Sequence, residues 1–191
     1  MTIIAACGIH NCGVQKSEHD GVHSFFVEKN ARVRYVEKHY GEGDGNGKNL
    51  MNPTTVVSLA EGAYMEMETT QIKGVDSTVR KTTAKLAAGA TLIIKEKIMT
   101  HGNQLAETDF TVDLDGEGSG ANVISRSVAK EHSRQVFRSN IRGNAKCSGH
   151  SECDSIIMDE ASVSAIPEIT AASVEAVSYT HLRAHETSLH L

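Results

Sequence analysis

The runs Leu59–Glu68 (LAEGAYMEME) and Leu86–Lys95 (LAAGATLIIK) are two near-copies of one pattern, and the second starts 27 residues after the first. In each copy a Gly-Ala corner opens a segment that alternates between two faces. In the first copy, Met65 and Met67 share one side, and the glutamates that follow them share the other. A period of two predicts β-strands with one buried face and one exposed face.

Looser versions of the corner recur along the chain, each with an aliphatic residue, then Gly, Asn or an acidic residue, then Ala. They lie at Val27–Ala31, Ile141–Ala145 and Ile157–Ala161, with a longer variant at Leu114–Ala121. Strand units that return in this way predict a solenoid. With 2 Pro, 16 Gly, no Trp and 4% aromatic residues, the composition favours stacked aliphatic residues over a core of large rings. We therefore predict an all-β parallel β-helix, with a β-sandwich of irregular hairpins as the alternative.

The totals describe one domain with a sizeable core, at 191 residues. The net charge of −5 comes from 19 basic and 24 acidic residues that are well mixed, without the basic stripe that indicates nucleic-acid binding. No apolar run is long enough for a transmembrane helix, and Met1–Cys7 lacks the basic flank of a secretory signal. Four unevenly spread cysteines do not form a secreted disulfide framework, so we expect a cytoplasmic protein without nucleic-acid or membrane partners.

The residues from 177 onward differ in character from the rest. The run Val177–Thr187 (VSYTHLRAHET) resembles the translation of a sequencing-library adapter at the edge of a short DNA fragment. We therefore divide the chain into a core of residues 1–176, expected to be truncated at both ends, and a non-native tail of residues 177–191, expected to be disordered. The division sets aside His181 and His185, whose spacing of four would otherwise imitate a helical metal site.

Residues 7–23 gather two cysteines and three histidines in a Gly-containing stretch that we expect to be a loop. Cysteine and histidine this close in sequence suit zinc or iron, and the candidate metal ligands are Cys7, His10 and Cys12. The spacing matches no standard zinc finger. A polar loop with solvent-facing histidines is therefore the competing interpretation, and a metal-storage loop is a narrower one.

The run Cys147–Ser155 (CSGHSECDS) carries the most informative local chemistry. Alternation places Cys147 and Cys153 on one face of a strand, with His150 and Glu152 on the other. In a straight strand the two thiols lie about 20 Å apart and cannot share a metal. An inward thiol is most often a small core hydrophobe, but a thiolate is also what sulfur transfer and iron–sulfur chemistry require.

Five segments together resemble the SufB/SufD family, the scaffold subunits of the SUF iron–sulfur cluster assembly system, and most of all its short SufB-like members. They span nearly all of residues 5–176, and the last of them is the most specific. The segments are Tyr35–Gly43, Gly62–Thr69, Lys73–Thr78, Ser125–Lys130 and Gly149–Ser155. The resemblance implies a right-handed parallel β-helix, in agreement with the repeats.

The resemblance also implies a scaffold for cluster assembly and not an enzyme with its own turnover. Family members pair as homodimers or heterodimers through the ends of their β-helices and bind a SufC-type ATPase. Sulfur comes from a cysteine desulfurase, and some complexes use reduced flavin. The family's Cys-Asp-Ser stretch places a main assembly thiol, and iron–sulfur ligand, on Cys153, at a surface where two protomers meet. Cys147, His150 and Glu152 are auxiliary candidates around it.

The family pattern is interrupted after Ala176, where a His-Glu-Ala stretch and the ATPase-binding helices are expected. We therefore expect a partial β-helix that lacks the C-terminal helical segment, is inactive and does not bind SufC. A structural or interaction β-helix without cluster chemistry is the alternative function. An acyltransferase would show an aliphatic residue every six positions, and sugar cleavage would need more aromatic platforms than four Tyr and four Phe provide.

Overall fold

Strands make up all the regular structure of the residues that the structure describes. The computed structural model describes residues 1–43, 47–172 and 176–187, and these residues include no helix that could span a membrane. The strands are β1 (Thr2–Asn11), β2 (Lys16–His19), β3 (Val22–Val27), β4 (Arg32–Gly43), β5 (Lys48–Met51), β6 (Thr54–Leu59), β7 (Tyr64–Lys73), β8 (Ser77–Leu86), β9 (Thr91–Thr100), β10 (Leu105–Leu114), β11 (Gly120–Ala129), β12 (Arg134–Gly143), β13 (Ser148–Met158), β14 (Ser162–Ala171) and β15 (Val177–Thr187). The predicted all-β class is confirmed.

The strands form two sheets in which every pair is parallel. One sheet has the order β1-β4-β7-β9-β11-β13-β15. The other has the order β2-β5-β8-β10-β12-β14, with β3 and β6 continuing the β2 and β5 positions alongside β8. The chain passes from one sheet to the other and back, so each circuit is one coil and the next coil stacks on it. The protein is therefore a parallel β-solenoid of about six turns, and the hairpin sandwich is excluded.

The repeat of 27 residues found in the sequence corresponds to one coil. Tyr64 on β7 pairs with Thr91 on β9, which places the two copies directly above one another. At the corners before β7 and β9 a glycine takes a left-handed conformation, with φ of 67° at Gly62 and 64° at Gly89. Only glycine adopts this conformation without strain, which explains why the Gly-Ala corner recurs.

The core lies between the two sheets and consists of alternate residues from each strand. Small and aliphatic side chains stack in register from coil to coil, as the composition predicted. The fully buried apolar residues include Met65, Met67, Leu86, Leu92, Ile94, Phe110, Val112, Leu114 and Ile141. Aromatic packing is limited to a few pairs such as Phe110 and Phe137, whose ring centroids are 5.9 Å apart.

Two expectations about local structure are wrong. The stretch that begins at Cys7 is not a loop, because Cys7 and His10 lie within β1, which pairs with β4 over ten positions. The tail is not disordered over Val177–Thr187, which forms β15 and pairs with β13. A parallel strand at this edge satisfies the backbone N–H and C=O groups of β13. Residues 188–191 lie outside the described residues, and the adapter origin of the tail stays a prediction.

Candidate functional site

Cys153, the thiol that the resemblance singles out, points from β13 into the interior of the solenoid. The residue is 3% exposed, and its Sγ lies 3.7 Å from the Ser155 Oγ. Burial raises the pKa of the Cys153 thiol; the hydrogen bond with Ser155 lowers it in part, and the negative charges of Glu96 and Asp154 raise it. The thiol is therefore protonated at neutral pH. The structure places it in the interior and not at an outer surface.

Cys153 is the last member of a ladder of inward-facing polar side chains that runs along the seven-stranded sheet. The strand register stacks this polar ladder in the order Glu37, Thr69, Glu96, Ser125 and Cys153. All five residues are buried. At about 4.8 Å per strand, the polar ladder extends about 19 Å from Glu37 to Cys153. Buried polar groups cost free energy unless they are paired, so each member needs a partner.

Arg80, on β8 in the opposite sheet, reaches across the interior to the middle of the polar ladder. Its guanidinium donates to Glu96 Oε1 at 2.8 Å and to Thr69 Oγ1 at 2.9 Å. The Ser125 hydroxyl donates to Glu96 Oε2 at 3.1 Å. Burial raises the pKa of Glu96, and the charge of Arg80 and hydrogen bonds from Ser125 and Thr108 oppose this rise. The carboxylate is thus held inside the fold by donors on several coils.

His39 connects this ion pair to Glu37 at the other end of the polar ladder. The His39 Nδ1 lies 2.6 Å from Arg80 Nη2, and its Nε2 lies 3.0 Å from Glu37 Oε1. Because a guanidinium can only donate, Nδ1 accepts and Nε2 carries the proton that faces Glu37. Burial alone would raise the pKa of Glu37, but the hydrogen bond from His39 and the surrounding positive charges lower it to about 2. Glu37 is therefore a carboxylate at neutral pH.

A small internal cavity adjoins the Cys153 end of the polar ladder. Its lining includes Glu96, Thr108, Ser125 and Phe137 together with Cys153. The cavity has a volume of about 10 Å³, roughly the room that one water molecule occupies. The thiol therefore faces a partly polar space that accommodates a small group, and an iron–sulfur cluster does not fit in it.

The auxiliary candidates do not join Cys153. Cys147 comes just before β13 and packs within the apolar core. His150 and Glu152 lie on the outer face of β13, where the His150 Nε2 is 3.3 Å from Glu152 Oε2 and Arg126 Nη2 donates to Glu152 Oε1 at 2.6 Å. Alternate residues of a strand point to opposite faces, so neither His150 nor Glu152 reaches the Cys153 thiol.

The three metal candidates near the start of the chain also separate. His10 and Cys12 are exposed, with the His10 Nε2 3.1 Å from the Cys12 Sγ. Cys7 points inward, and its Sγ lies 3.5 Å from Glu37 Oε1. Because β1 is a strand, its alternation places Cys7 and His10 on opposite faces. The structure therefore does not bring Cys7, His10 and Cys12 together.

The apolar alternation of the strands did not reveal the charged residues of the interior, namely Glu37, His39, Arg80 and Glu96. A signal for them was present. In β9 the inward apolar positions Leu92 and Ile94 are followed two residues later by Glu96, which shares their face. If charged residues are assigned to the inward face by the same alternation as apolar residues, the polar ladder follows from the sequence.

Comparison with known proteins gives one consistent family. The family "SUF system FeS cluster assembly, SufBD core domain" matches residues 1–181. The chain is 28% identical over 173 residues to an iron–sulfur cluster assembly SufBD family protein of Archaeoglobus fulgidus, covering 90% of this chain and 45% of that protein. It is 30% identical over 143 residues to a protein of the same family in Methanocaldococcus jannaschii, covering 74% of this chain and 45% of that protein.

A third relative, an iron–sulfur cluster assembly SufBD family protein of Methanothermobacter thermautotrophicus, is 25% identical over 181 residues. The match covers 92% of this chain and 42% of that protein. The chain thus spans less than half the length of each of these three relatives.

Proposed function

Since the chain belongs to the SufBD core-domain family of the SUF system, we propose that it is a scaffold subunit on which iron–sulfur clusters are assembled. Family membership confirms the resemblance found in the sequence. In the proposed role the chain holds sulfur and iron as substrates and has no catalytic turnover of its own. The four free cysteines support the expected reducing, cytoplasmic setting.

The observation that carries the proposal is the position of Cys153 at the end of the polar ladder. Buried ionised groups are costly, and apolar residues of similar size often give an equally or more stable core. The pairing of Arg80 with Glu96 is therefore weak support for a purely structural role. Burial raises the pKa of both Glu96 and Cys153, and the two residues line the same cavity. Perturbed titratable groups that share a cavity are typical of a chemical site.

The cavity next to Cys153 suits the addition of one sulfur atom. In the proposed step the Cys153 thiolate attacks the outer sulfur of a persulfide donor. The donor S–S bond breaks, a new S–S bond forms on Cys153, and the departing donor sulfur takes up the proton that Cys153 lost. The exchange is redox-neutral and leaves Cys153 as a persulfide. The cavity beside the thiol has room for no more than about one water-sized group, so iron must meet the sulfur after the site has opened.

The partners in this proposal follow from the family. They are a SufC-type ATPase, a second SufB- or SufD-like subunit and a cysteine desulfurase as sulfur donor. The burial of Cys153 supports a need for such partners, because a conformational change is required before a cluster can be built on this thiol. The described residues offer no feature that supports a reduced flavin.

The test is sulfur loading of the reduced chain with inorganic polysulfide, a donor that needs no partner protein and can reach Cys153 during local opening of the fold. After denaturation and alkylation, peptide mass spectrometry reads the added sulfur on each cysteine. We expect at least tenfold more persulfide on Cys153 than on Cys147, which is also buried but packs within the apolar core. Cys153→Ser should remove most of the protein-bound sulfane sulfur, while Cys147→Ser should not.

The burial of Cys153 also favours a second candidate, a structural or interaction β-helix without cluster chemistry. In that case Cys153 is a small core residue, as inward thiols most often are. Equal loading of the two buried cysteines, or no loading of Cys153, would contradict the scaffold proposal and support this second candidate.

A further inference from the structure

Three potential metal ligands converge at the Glu37 end of the interior. They come from three strands, with Cys7 on β1, His23 on β3 and Glu37 on β4. One donor atom from each lies within 4.8 Å of the other two. The Cys7 Sγ is 3.5 Å from Glu37 Oε1, and the His23 Nδ1 is 3.2 Å from the same oxygen.

These separations match a tetrahedral metal centre. With a metal–sulfur bond of about 2.3 Å and metal–nitrogen and metal–oxygen bonds of about 2.0 Å, the sulfur–oxygen edge of a tetrahedron is about 3.5 Å. The nitrogen–oxygen edge is about 3.3 Å. The distances from Glu37 Oε1 to Cys7 and to His23 have these values already. The donor atoms of Cys7 and His23 lie within 4.8 Å of each other, against about 3.5 Å for the sulfur–nitrogen edge, so they approach by up to about 1.3 Å when an ion binds.

We propose that Cys7, His23 and Glu37 form a binding site for one divalent transition metal ion of the Zn²⁺ or Fe²⁺ class. A mixed thiolate, imidazole and carboxylate set suits these borderline ions and not Ca²⁺ or Mg²⁺, which prefer oxygen ligands. The thiolate and the carboxylate together balance the two positive charges of the ion, so the filled site is neutral in a largely buried place. Three protein ligands leave the fourth tetrahedral position open.

Neighbouring side chains hold the ligands in place. The protonated Nε2 of His39 faces Glu37 Oε1, and Arg80 fixes the other nitrogen of His39. Second contacts of this kind on a ligand orient it in metal sites. The Tyr35 hydroxyl, 3.3 Å from the ligating His23 Nδ1, turns away from this nitrogen when the ion binds. The His23 side chain is 26% exposed whereas Glu37 is 2% exposed, so solvent reaches the site from the His23 side.

The spacing of the three ligands along the sequence does not indicate this metal site. From the sequence, Cys7 is expected to bind a metal together with His10 and Cys12, which are its neighbours in the chain. The actual neighbours are on two sheets that face each other across the interior, and the register aligns Cys7 with His39 and Ala5 with Glu37. The site does not depend on the scaffold function or on Cys153.

The experiment is a titration of the metal-free, reduced chain with Co²⁺ under anaerobic conditions. A thiolate-to-cobalt charge-transfer band and intense tetrahedral d–d bands should grow to one equivalent and be displaced by Zn²⁺. Cys7→Ser should abolish the charge-transfer band. His23→Gln should weaken binding at least tenfold, and this substitution at a partly exposed position tests the site even if Cys7→Ser does not fold.

Cys12→Ser is the matched control, because Cys12 is an exposed thiol with a histidine beside it, and it should leave the titration unchanged. A band lost in Cys12→Ser and kept in Cys7→Ser would place the metal at His10 and Cys12 and overturn the proposal. Absence of saturable binding, or binding that neither Cys7→Ser nor His23→Gln alters, would also overturn it. Sulfur loading of Cys153 is read on a different residue, so either proposal can fail while the other stands.

Discussion

Replacing Arg80 by methionine tests whether charge pairing holds the interior of the solenoid together. Methionine keeps much of the apolar stem of arginine but lacks the guanidinium, which donates to Thr69 and Glu96 and lies against His39. The variant leaves the Glu96 carboxylate buried without its counter-charge. Removing one partner of a buried ion pair costs about 3–5 kcal/mol, a large part of the stability of a typical domain.

The loss should depend on pH, because Glu96 can avoid the penalty by binding a proton. Without Arg80, burial raises the pKa of Glu96 with less opposition, whereas the unfolded chain keeps the ordinary value of 4.5. Keeping a carboxyl protonated in the folded chain costs about 1.4 kcal/mol per pH unit above that value. The folded variant then binds more protons than its unfolded chain, so its stability rises as the pH falls. Where Arg80 keeps Glu96 ionised in the wild type, the deficit should shrink by at most about 3 kcal/mol between pH 8 and pH 6.

The matched control is Arg138→Met on the outer face of the same sheet. Arg138 Nη1 lies 3.2 Å from Glu107 Oε2 in an exposed pair, so its loss should cost about 0–1 kcal/mol. The double variant Arg80→Met/Glu96→Leu removes both buried charges and should recover most of the loss. Urea unfolding followed by circular dichroism measures each free energy of unfolding, since the chain has no Trp for fluorescence.

Two results would refute the reasoning. One is an Arg80→Met deficit at pH 8 that is no larger than the Arg138→Met deficit, because Glu96 would then not depend on its partner. The other is a deficit that has the same size at pH 6 and pH 8, because no carboxyl would then be taking up a proton in the folded variant.

Two further predictions concern packing and thiol access. Phe110→Ala should lower the free energy of unfolding by about 3–5 kcal/mol, because it removes a large side chain from the centre of the core. Phe26→Ala, at a side chain that is 75% exposed, should change the free energy of unfolding by less than about 0.5 kcal/mol in the same urea assay. Similar losses in the two variants would contradict the core assignment. Iodoacetamide should label the exposed Cys12 in the native chain well before the buried Cys147 and Cys153, as followed over time by mass spectrometry. Labelling of Cys153 should speed up as the pH rises, because burial raises the pKa of its thiol and only the thiolate reacts. Labelling of Cys153 as fast as that of Cys12 would contradict this prediction.

The coil architecture could be predicted from the sequence because it rests on local patterns. The offset between Leu59 and Leu86 is the length of one coil, and these two residues pair in the structure. The alternation around Met65 and Met67 gave the inward face correctly. Turn chemistry and strand period are properties of a few adjacent residues, so a single sequence displays them.

The charged interior could not be predicted in the same way, because its contacts join the two sheets. Whether Arg80 lies inside depends on a partner 16 residues later, Glu96, which comes from the facing sheet. Cys7 and His23 meet through the same kind of contact across the interior. Strand parity tells which residues share a face, but the partner across the core follows only from how the coils are stacked.

The strand at Val177–Thr187 shows a different limit of prediction from sequence, since its formation depends on the neighbouring strand β13. The composition of Val177–Thr187 says nothing of a solenoid, yet it forms a strand alongside β13. Main-chain hydrogen bonds are independent of sequence, so the open groups of an edge strand accept many partners. Pairing with β13 is therefore compatible with many sequences at this position.

A comparison of the two buried cysteines, Cys147 and Cys153, distinguishes a packing role from a chemical role. Both are enclosed in the same core cluster, and either could be a small apolar filler. They differ in what surrounds them, because only Cys153 continues the polar ladder from Glu96 and Ser125 and lines the adjoining cavity. If burial alone set their behaviour, the two thiols would respond alike to a small sulfur donor. A preference for Cys153 would thus measure the contribution of the polar ladder, with Cys147 as the internal reference in the same molecule.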